Sequence, residues 1–147
     1  MKPFIVSAKV DALVAFYESL SECSVACFSE YYAEDVYFKD PFNEGRGLAL
    51  VQRIFTHMFR QVAEPRFKVL ERVVDANGAV LVWNFFYRVR SSGQGKADII
   101  RGVSHLKFDA EGKVVWHRDY WDAAEELYAK LPVIGFLLRR LKKTMGS

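Results

Sequence analysis

Two cysteines, four prolines and three histidines are few for 147 residues, and each scarcity closes off a class of protein. Cys23 and Cys27 stand four apart with no histidine near them, so a disulfide framework and a zinc site both fit poorly. On a helix the two thiols would share one face, and they read as reduced core thiols of a cytoplasmic protein. No apolar run is long enough to span a bilayer, and the opening Met1-Lys2-Pro3-Phe4-Ile5-Val6 lacks the apolar stretch of a secretion signal. Internal repeats and low-complexity tracts are also missing. Acids are absent from the last stretch. Five of the 21 basic residues (Lys130, Arg139, Arg140, Lys142, Lys143) and none of the 18 acidic ones fall between Leu127 and Ser147. The remainder carries a slight acidic excess, which excludes a whole-body footprint for nucleic acid.

Apolar residues are plentiful, at 51%, and aromatics reach 15%. Aromatic side chains fill large volumes and line small-molecule pockets, so a roomy interior is one reading. An aromatic-rich solid core is the other. The length fits a single domain, taken as 1–131, followed by a basic amphipathic tail at 132–147.

Hydrophobic spacing orders the chain. Val10, Leu13, Val14, Tyr17 and Leu20 predict a helix over 8–20, with Ser7 as a cap. A second short helix is expected at 22–32, presenting Val25, Phe28 and Tyr32. Residues 36–42 read as a strand and 43–47 as a turn. Leu48, Val51, Phe55, Met58, Phe59 and Val62 predict a strongly amphipathic third helix, ended by Pro65. The period then changes to two. Strands are expected at 67–75, 80–90, 97–108 and 113–122, joined by a turn at Asn77-Gly78, a loop at 91–95 and a turn at 109–112. A helix over 123–131 follows, stopped near Pro132. Helices ahead of an antiparallel meander imply an α+β domain. Its N-terminal helices would pack on the concave face of a curved antiparallel sheet, giving a cone-shaped, cystatin-like barrel.

Asp40 is a lone carboxylate at the end of an aromatic strand, and Pro41 biases it toward an extended backbone. Among Tyr and Phe side chains such a group can act as a tunable base. His117-Arg118-Asp119-Tyr120-Trp121-Asp122 has the same character. Strand alternation turns His117, Asp119 and Trp121 inward together, with Trp83, Phe85 and Tyr87 on the middle strand and Ser104 beside them. Asn84, Arg88, Arg90, Arg101 and His105 then face outward. Adding Tyr17, Phe38 and Asp40 completes an apolar hollow with a few convergent polar groups.

Tyr32-Ala33-Glu34-Asp35 leading to Asp40-Pro41, Gly47 before the third helix, Phe108-Asp109 with Gly112-Lys113, and Arg118-Asp119-Tyr120-Trp121 carry a resemblance over nearly the whole chain. The sequence resembles the nuclear transport factor 2-like superfamily and, within it, SnoaL-like proteins, steroid delta-isomerases and limonene epoxide hydrolase. The resemblance implies that Asp40 falls at the proton-shuttling carboxylate of the isomerases, Tyr17 at their oxyanion-binding Tyr, and Trp121 at a cavity-lining Trp. Ser104 falls where they place a second oxyanion donor. Asp119 matches the terminal-strand aspartate of the epoxide hydrolase. The Arg and Asp of its middle strand fall on Phe85 and Tyr87, which speaks against epoxide hydrolysis.

These readings leave three functions open. One is an enzyme without cofactor or metal, an isomerase, cyclase or lyase moving a proton on a hydrophobic carbonyl compound. Its catalytic residues would be Asp40, Tyr17, Asp119 and His117, and its ligand-binding residues Phe38, Trp83, Phe85, Tyr87, Ser104 and Trp121. A second is a non-catalytic carrier or sensor of an apolar ligand. The third is an interaction module, homodimeric through the outer sheet face. The C-terminal tail is expected to fold over the cavity mouth or a dimer partner with its charges exposed; a membrane-surface contact through it is a weaker expectation, and no nucleic-acid partner is expected.

Overall fold

Two periodicities build the molecule: a 3.6-residue one in the helices, most of which precede residue 62, and a two-residue one in the strands, the longest of which run from 62 to 120. The structure, a computed structural model, describes residues 3–89, 97–127 and 132–146. Helix α1 (Pro3–Glu18) is followed by a 3-10 turn (Glu22–Cys27), α2 (Phe28–Tyr31), β1 (Tyr32–Lys39), β2 (Glu44–Arg46) and α3 (Leu48–Gln61). Then come β3 (Val62–Asp75), β4 (Gly78–Val89), β5 (Ala97–Phe108), β6 (Val114–Tyr120), α4 (Ala123–Glu126) and α5 (Pro132–Met145). One six-stranded sheet has the order β2-β1-β6-β5-β4-β3. The meander from β3 to β6 is antiparallel as expected, but β1 joins β6 in parallel, so the sheet is mixed and it remains open.

Helix α1 buries Val6, Val10, Leu13, Val14 and Tyr17 on one stripe and crosses β3, where Asp11 pairs with Arg72 and Glu18 with Lys68. These ion pairs are exposed and worth at most about 1 kcal/mol each; the apolar stripe holds the helix. Helix α3 buries Val51, Phe55 and Phe59. Gly47 opens it at φ +110°, a conformation other residues adopt only under strain, and donates its N–H to Val36 O at 2.9 Å.

Several boundaries differ from the sequence reading. Helix α1 begins at Pro3, so Ser7 is an exposed residue inside it and caps nothing. The 22–32 segment is mostly a 3-10 turn. At three residues per turn, Cys23 and Cys27 no longer share a face, and Cys23 is an exposed thiol, not a core one. Strand β1 starts at Tyr32 and stops at Lys39, leaving Pro41 and Phe42 in a turn. Pro65 does not end α3, which stops at Gln61. It sits inside β3, on the sheet edge, where Glu64 takes φ +53° and the pairing with β4 slips between Ala63 and Arg66. A proline is tolerated there because an edge strand has one side without ladder bonds. The hairpin turn is Ala76-Asn77, with Asp75 Oδ1 accepting from the N–H groups of Asn77 and Gly78. Arg90, the loop at 91–95, Lys130 and Leu131 lie outside the described residues.

The inward set of β4 is as the alternation predicts: Leu81, Trp83, Phe85 and Tyr87 are buried. On β6, Val114 and His117 are both buried although three residues apart. A register slip between Lys107 and Phe108 absorbs the odd residue and turns His117 and Asp119 toward the interior. Trp83 pairs across the sheet with Gly102, and its indole lies over that glycine. A methyl built on Gly102 would stand 2.3 Å from the Trp83 ring. Gly102→Ala is therefore expected to lower stability by about 1–3 kcal/mol through overpacking. Urea unfolding followed by tryptophan fluorescence checks this; an unchanged midpoint would contradict the packing.

Candidate functional site

Strands β1, β4 and β6, with helix α3 opposite them, enclose a pocket of about 910 Å³. Phe38, Asp40, Trp83, Phe85, Tyr87, Asp119 and Trp121 border it, as does the inward side of α3 through Ile54, Phe55 and Met58. One wall is a run of rings. Phe67 stacks on Phe85 at 4.5 Å and meets Trp83 edge-on at 5.5 Å, and Phe85 stacks on Tyr87 at 5.6 Å. At the mouth Phe42 meets Trp121 edge-on at 5.5 Å. The volume lies within the range of small-molecule sites, and the lining is mainly apolar.

Tyr17, Ser104 and His117 are buried behind the wall instead of bordering it. They belong to a continuous hydrogen-bonded chain that reaches the pocket at Asp119. Trp83 Nε1 donates to Ser104 Oγ at 2.8 Å, and Ser104 Oγ donates to Asp119 Oδ1 at 2.5 Å. From the other side His117 Nε2 lies 2.7 Å from the same oxygen. A carboxylate oxygen accepts, so Nε2 carries a hydrogen, and in the neutral ring Nδ1 accepts. Tyr32 then donates to Nδ1, its hydroxyl lying 2.7 Å away, and Tyr17 donates to the Tyr32 oxygen. One direction of hydrogens thus satisfies every member, from Tyr17 on α1 and Tyr32 on β1 to Asp119 on β6. Asp119 Oδ2 has no hydrogen-bond partner among the described residues, and the side chain is 15% exposed.

The chain sits in an apolar shell. Phe38 packs on the His117 ring at 4.8 Å, and the Tyr32 ring stacks on it at 5.9 Å. Burial drives the pKa of both phenols upward. For Tyr17 the hydrogen bond to Tyr32 pulls the other way and the nearby Asp119 charge adds to the rise. Tyr32 is raised by burial first, then by Tyr17 and Asp119. Tyr87 is pushed up to about 12, by burial and then by Asp98 and Glu126. Glu126, on α4, is a buried carboxylate paired with Arg101 at 3.4 Å.

Asp40 occupies a different setting. Its Oδ1 accepts from Phe42 N and Asn43 N at 2.7 Å each and from Asn43 Nδ2 at 3.1 Å, while Oδ2 takes Asn43 Nδ2 at 3.0 Å. Asp40 thus closes the turn after β1 and holds the Asn43 amide at the pocket rim. The parallel pairing of β1 with β6 ends at Lys39–Arg118, and Asp40 and Asp119, one residue further on each chain segment, both border the pocket.

Tyr32 was absent from the expected site. Setting the strand at 36–42 hid it, although Tyr32, Val36 and Phe38 share one parity, which is the signal that would have placed it inward. Glu126 is invisible to periodicity, because a buried acid on a one-turn helix has no pattern.

A family model, the SnoaL-like domain, matches residues 13–117. Among solved structures, AclR from Streptomyces galilaeus, a proposed hydroxylase, superposes with a TM-score of 0.70 at 16% identity, over 98% of this chain and 96% of that one. A proposed SnoaL-like polyketide cyclase from Shewanella denitrificans gives 0.68 at 19% identity, over 86% of this chain and 98% of that one. An NTF2-like protein of unknown function from Burkholderia pseudomallei gives 0.69 at 18% identity, over 80% and 92%. At such identities the likeness shows the fold alone. No curated protein matches the chain in sequence.

The two buried phenols have a measurable consequence. Above pH ~10 the unfolded chain releases the Tyr17 and Tyr32 protons while the folded chain keeps them, so the native state binds more protons. Their contribution is fully present below that pH and falls as pH rises, by about 1.4 kcal/mol per unit for each phenol. Urea midpoints between pH 9 and 11 should drop, and Tyr17→Phe should flatten the drop by about a third, since Tyr32 and Tyr87 are raised as well. Equal slopes in both proteins would contradict the assignment.

Proposed function

The chain belongs to the SnoaL-like family, and on that premise we propose that it binds a hydrophobic small molecule in the 910 Å³ pocket and moves a proton on it with Asp119 as base. One observation carries this reading. Asp119 is the carboxylate of the buried hydrogen-bonded chain, it borders the pocket as Trp83 does, and its Oδ2 has no partner among the described residues. A general base needs a free lone pair within reach of the proton it removes. Asp40, the residue that the sequence favours for this role, has both oxygens engaged by its own turn.

In this reading Ser104 and His117 fix one carboxylate oxygen and leave the other to take a proton from a carbon beside a carbonyl. Asn43, held by Asp40, supplies an N–H toward the oxygen where charge develops. Tyr32 and Tyr17 keep His117 in the tautomer that donates to Asp119. Tyr87 lies far along the sheet: register pairs Asp119 with Ser104 and Tyr87 with Asp98, six residues further along β5, or up to about 20 Å along the strand. A ligand touching both is extended and apolar, polar at each end. No cofactor or metal enters this chemistry.

A second, non-catalytic reading is favoured by the same chain of hydrogen bonds, because each of its hydrogens is already satisfied internally. In that case the pocket carries or senses its ligand. We place a homodimer contact on the outer sheet face, where Val82, Phe86, Val103 and Trp116 are only partly covered.

Proton exchange separates the two readings. Cyclic and polycyclic ketones incubated with the protein in D2O, followed by NMR, should exchange their α-protons. Asp119→Asn should slow that exchange by a hundredfold or more, and Asp40→Asn far less. Ketone binding with no exchange above buffer would leave only the carrier.

A further inference from the structure

Helix α5 separates most of its residues by chemistry, with Val133 and Phe136 as exposed apolar exceptions on its cationic side. At 3.6 residues per turn, Ile134, Leu137, Leu138, Leu141 and Met145 fall on one stripe. Arg140 and Lys142 flank that stripe, one on each side, and Arg139 and Lys143 lie opposite it. No acidic residue occurs from Pro132 to Ser147. The apolar stripe is open to solvent: Ile134 is 46% exposed, Leu137 59%, Leu141 55% and Met145 79%. Soluble domains rarely present apolar side chains in so contiguous a row.

We infer that α5 is a peripheral anchor that lies in the surface of an anionic phospholipid bilayer. Charge complementarity selects this occupant. Two α5 helices packed stripe to stripe would bring the flanking cations of one against those of the other, with no acid in the helix to neutralise them. A protein partner would need an apolar groove flanked by acids on both sides to match the stripe and its cations. An anionic bilayer supplies negative charge everywhere, and the long Arg and Lys stems can reach headgroups while the stripe sinks into the acyl boundary. The helix lies on the membrane and does not cross it. Its 14 residues rise only about 21 Å, less than the hydrocarbon core, and no described helix is long and apolar enough to span.

The inference is independent of the pocket chemistry, though the two features are close in the chain. Leu127 borders the pocket and Pro132 begins the anchor. Five residues reach at most about 18 Å, so an anchored helix keeps the pocket near the lipid surface.

Co-sedimentation of the full chain with vesicles tests it, comparing equal parts phosphatidylglycerol and phosphatidylcholine with phosphatidylcholine alone. The protein should sediment with the anionic vesicles and be released by salt. The double substitution Arg140→Gln with Lys142→Gln should weaken partitioning about thirtyfold, and Leu137→Glu should abolish it with circular dichroism unchanged. Absence of binding to anionic vesicles, equal binding to zwitterionic ones, or indifference to Leu137→Glu overturns the anchor. A Leu137→Glu protein that loses only a self-association seen by sedimentation equilibrium, with the parent never binding vesicles, assigns the stripe to a second copy instead.

Discussion

A carboxylate taken out of water must be met by donors, and around Asp119 that requirement reaches every layer of the fold. Its Oδ1 is met by Ser104 from β5 and His117 from its own strand. Ser104 can point that way because Trp83 of β4 engages its oxygen, and Trp83 lies flat enough to do so because its neighbour on β5 is Gly102. His117 in turn needs Tyr32 at the head of β1, and Tyr32 accepts from Tyr17 on α1. Three strands, a helix and the strand that carries the acid are therefore tied by one polar thread inside an otherwise apolar interior. Truncating Tyr32, His117, Ser104 or Asp119 leaves a buried donor unpaired, which costs about 1–3 kcal/mol beyond the lost contact.

Asp40, in the turn after β1, and Asp119, on β6, both border the pocket, and their oxygens are met differently. Asp40 has both oxygens engaged by backbone and side-chain N–H groups of a single turn. Asp119 is half saturated, and the donors that hold it lie away from the pocket. Residue type and position relative to a proline drew attention to Asp40; the count of donors around each oxygen favours Asp119. The pocket itself owes its depth to α3, whose buried edge of Val51, Phe55 and Phe59 seats it while Ile54 and Met58 face the cavity.

Much of this was legible in the sequence. Alternation along Leu81, Trp83, Phe85 and Tyr87 placed the aromatic wall, and the 97–108 strand was read to the residue. The α3 face followed from its spacing. What could not be read were features with no period. The register slip in β6, the 3-10 turn that exposes Cys23, and the parallel entry of β1 each depend on pairing between distant segments. Pro65 misled for a related reason. A proline after a helical pattern usually marks a stop, yet here the chain had already turned into β3 three residues earlier. Tyr32 was lost to a strand boundary set four residues late.

The left-handed Glu64 and the ring of Pro65 also bear on how the protein survives at high concentration. Strand β3 is a long outer strand, and Leu70 and Val73 on it are exposed. A straight, uninterrupted edge of that kind invites another chain to add itself and propagate into fibrils. Pro65 offers no N–H, the kink at Glu64 bends the strand out of line, and Lys68, Glu71 and Arg72 set charges along the rest. The irregularity thus breaks up the longer of the sheet's two outer strands, the one that would otherwise be the more continuous template.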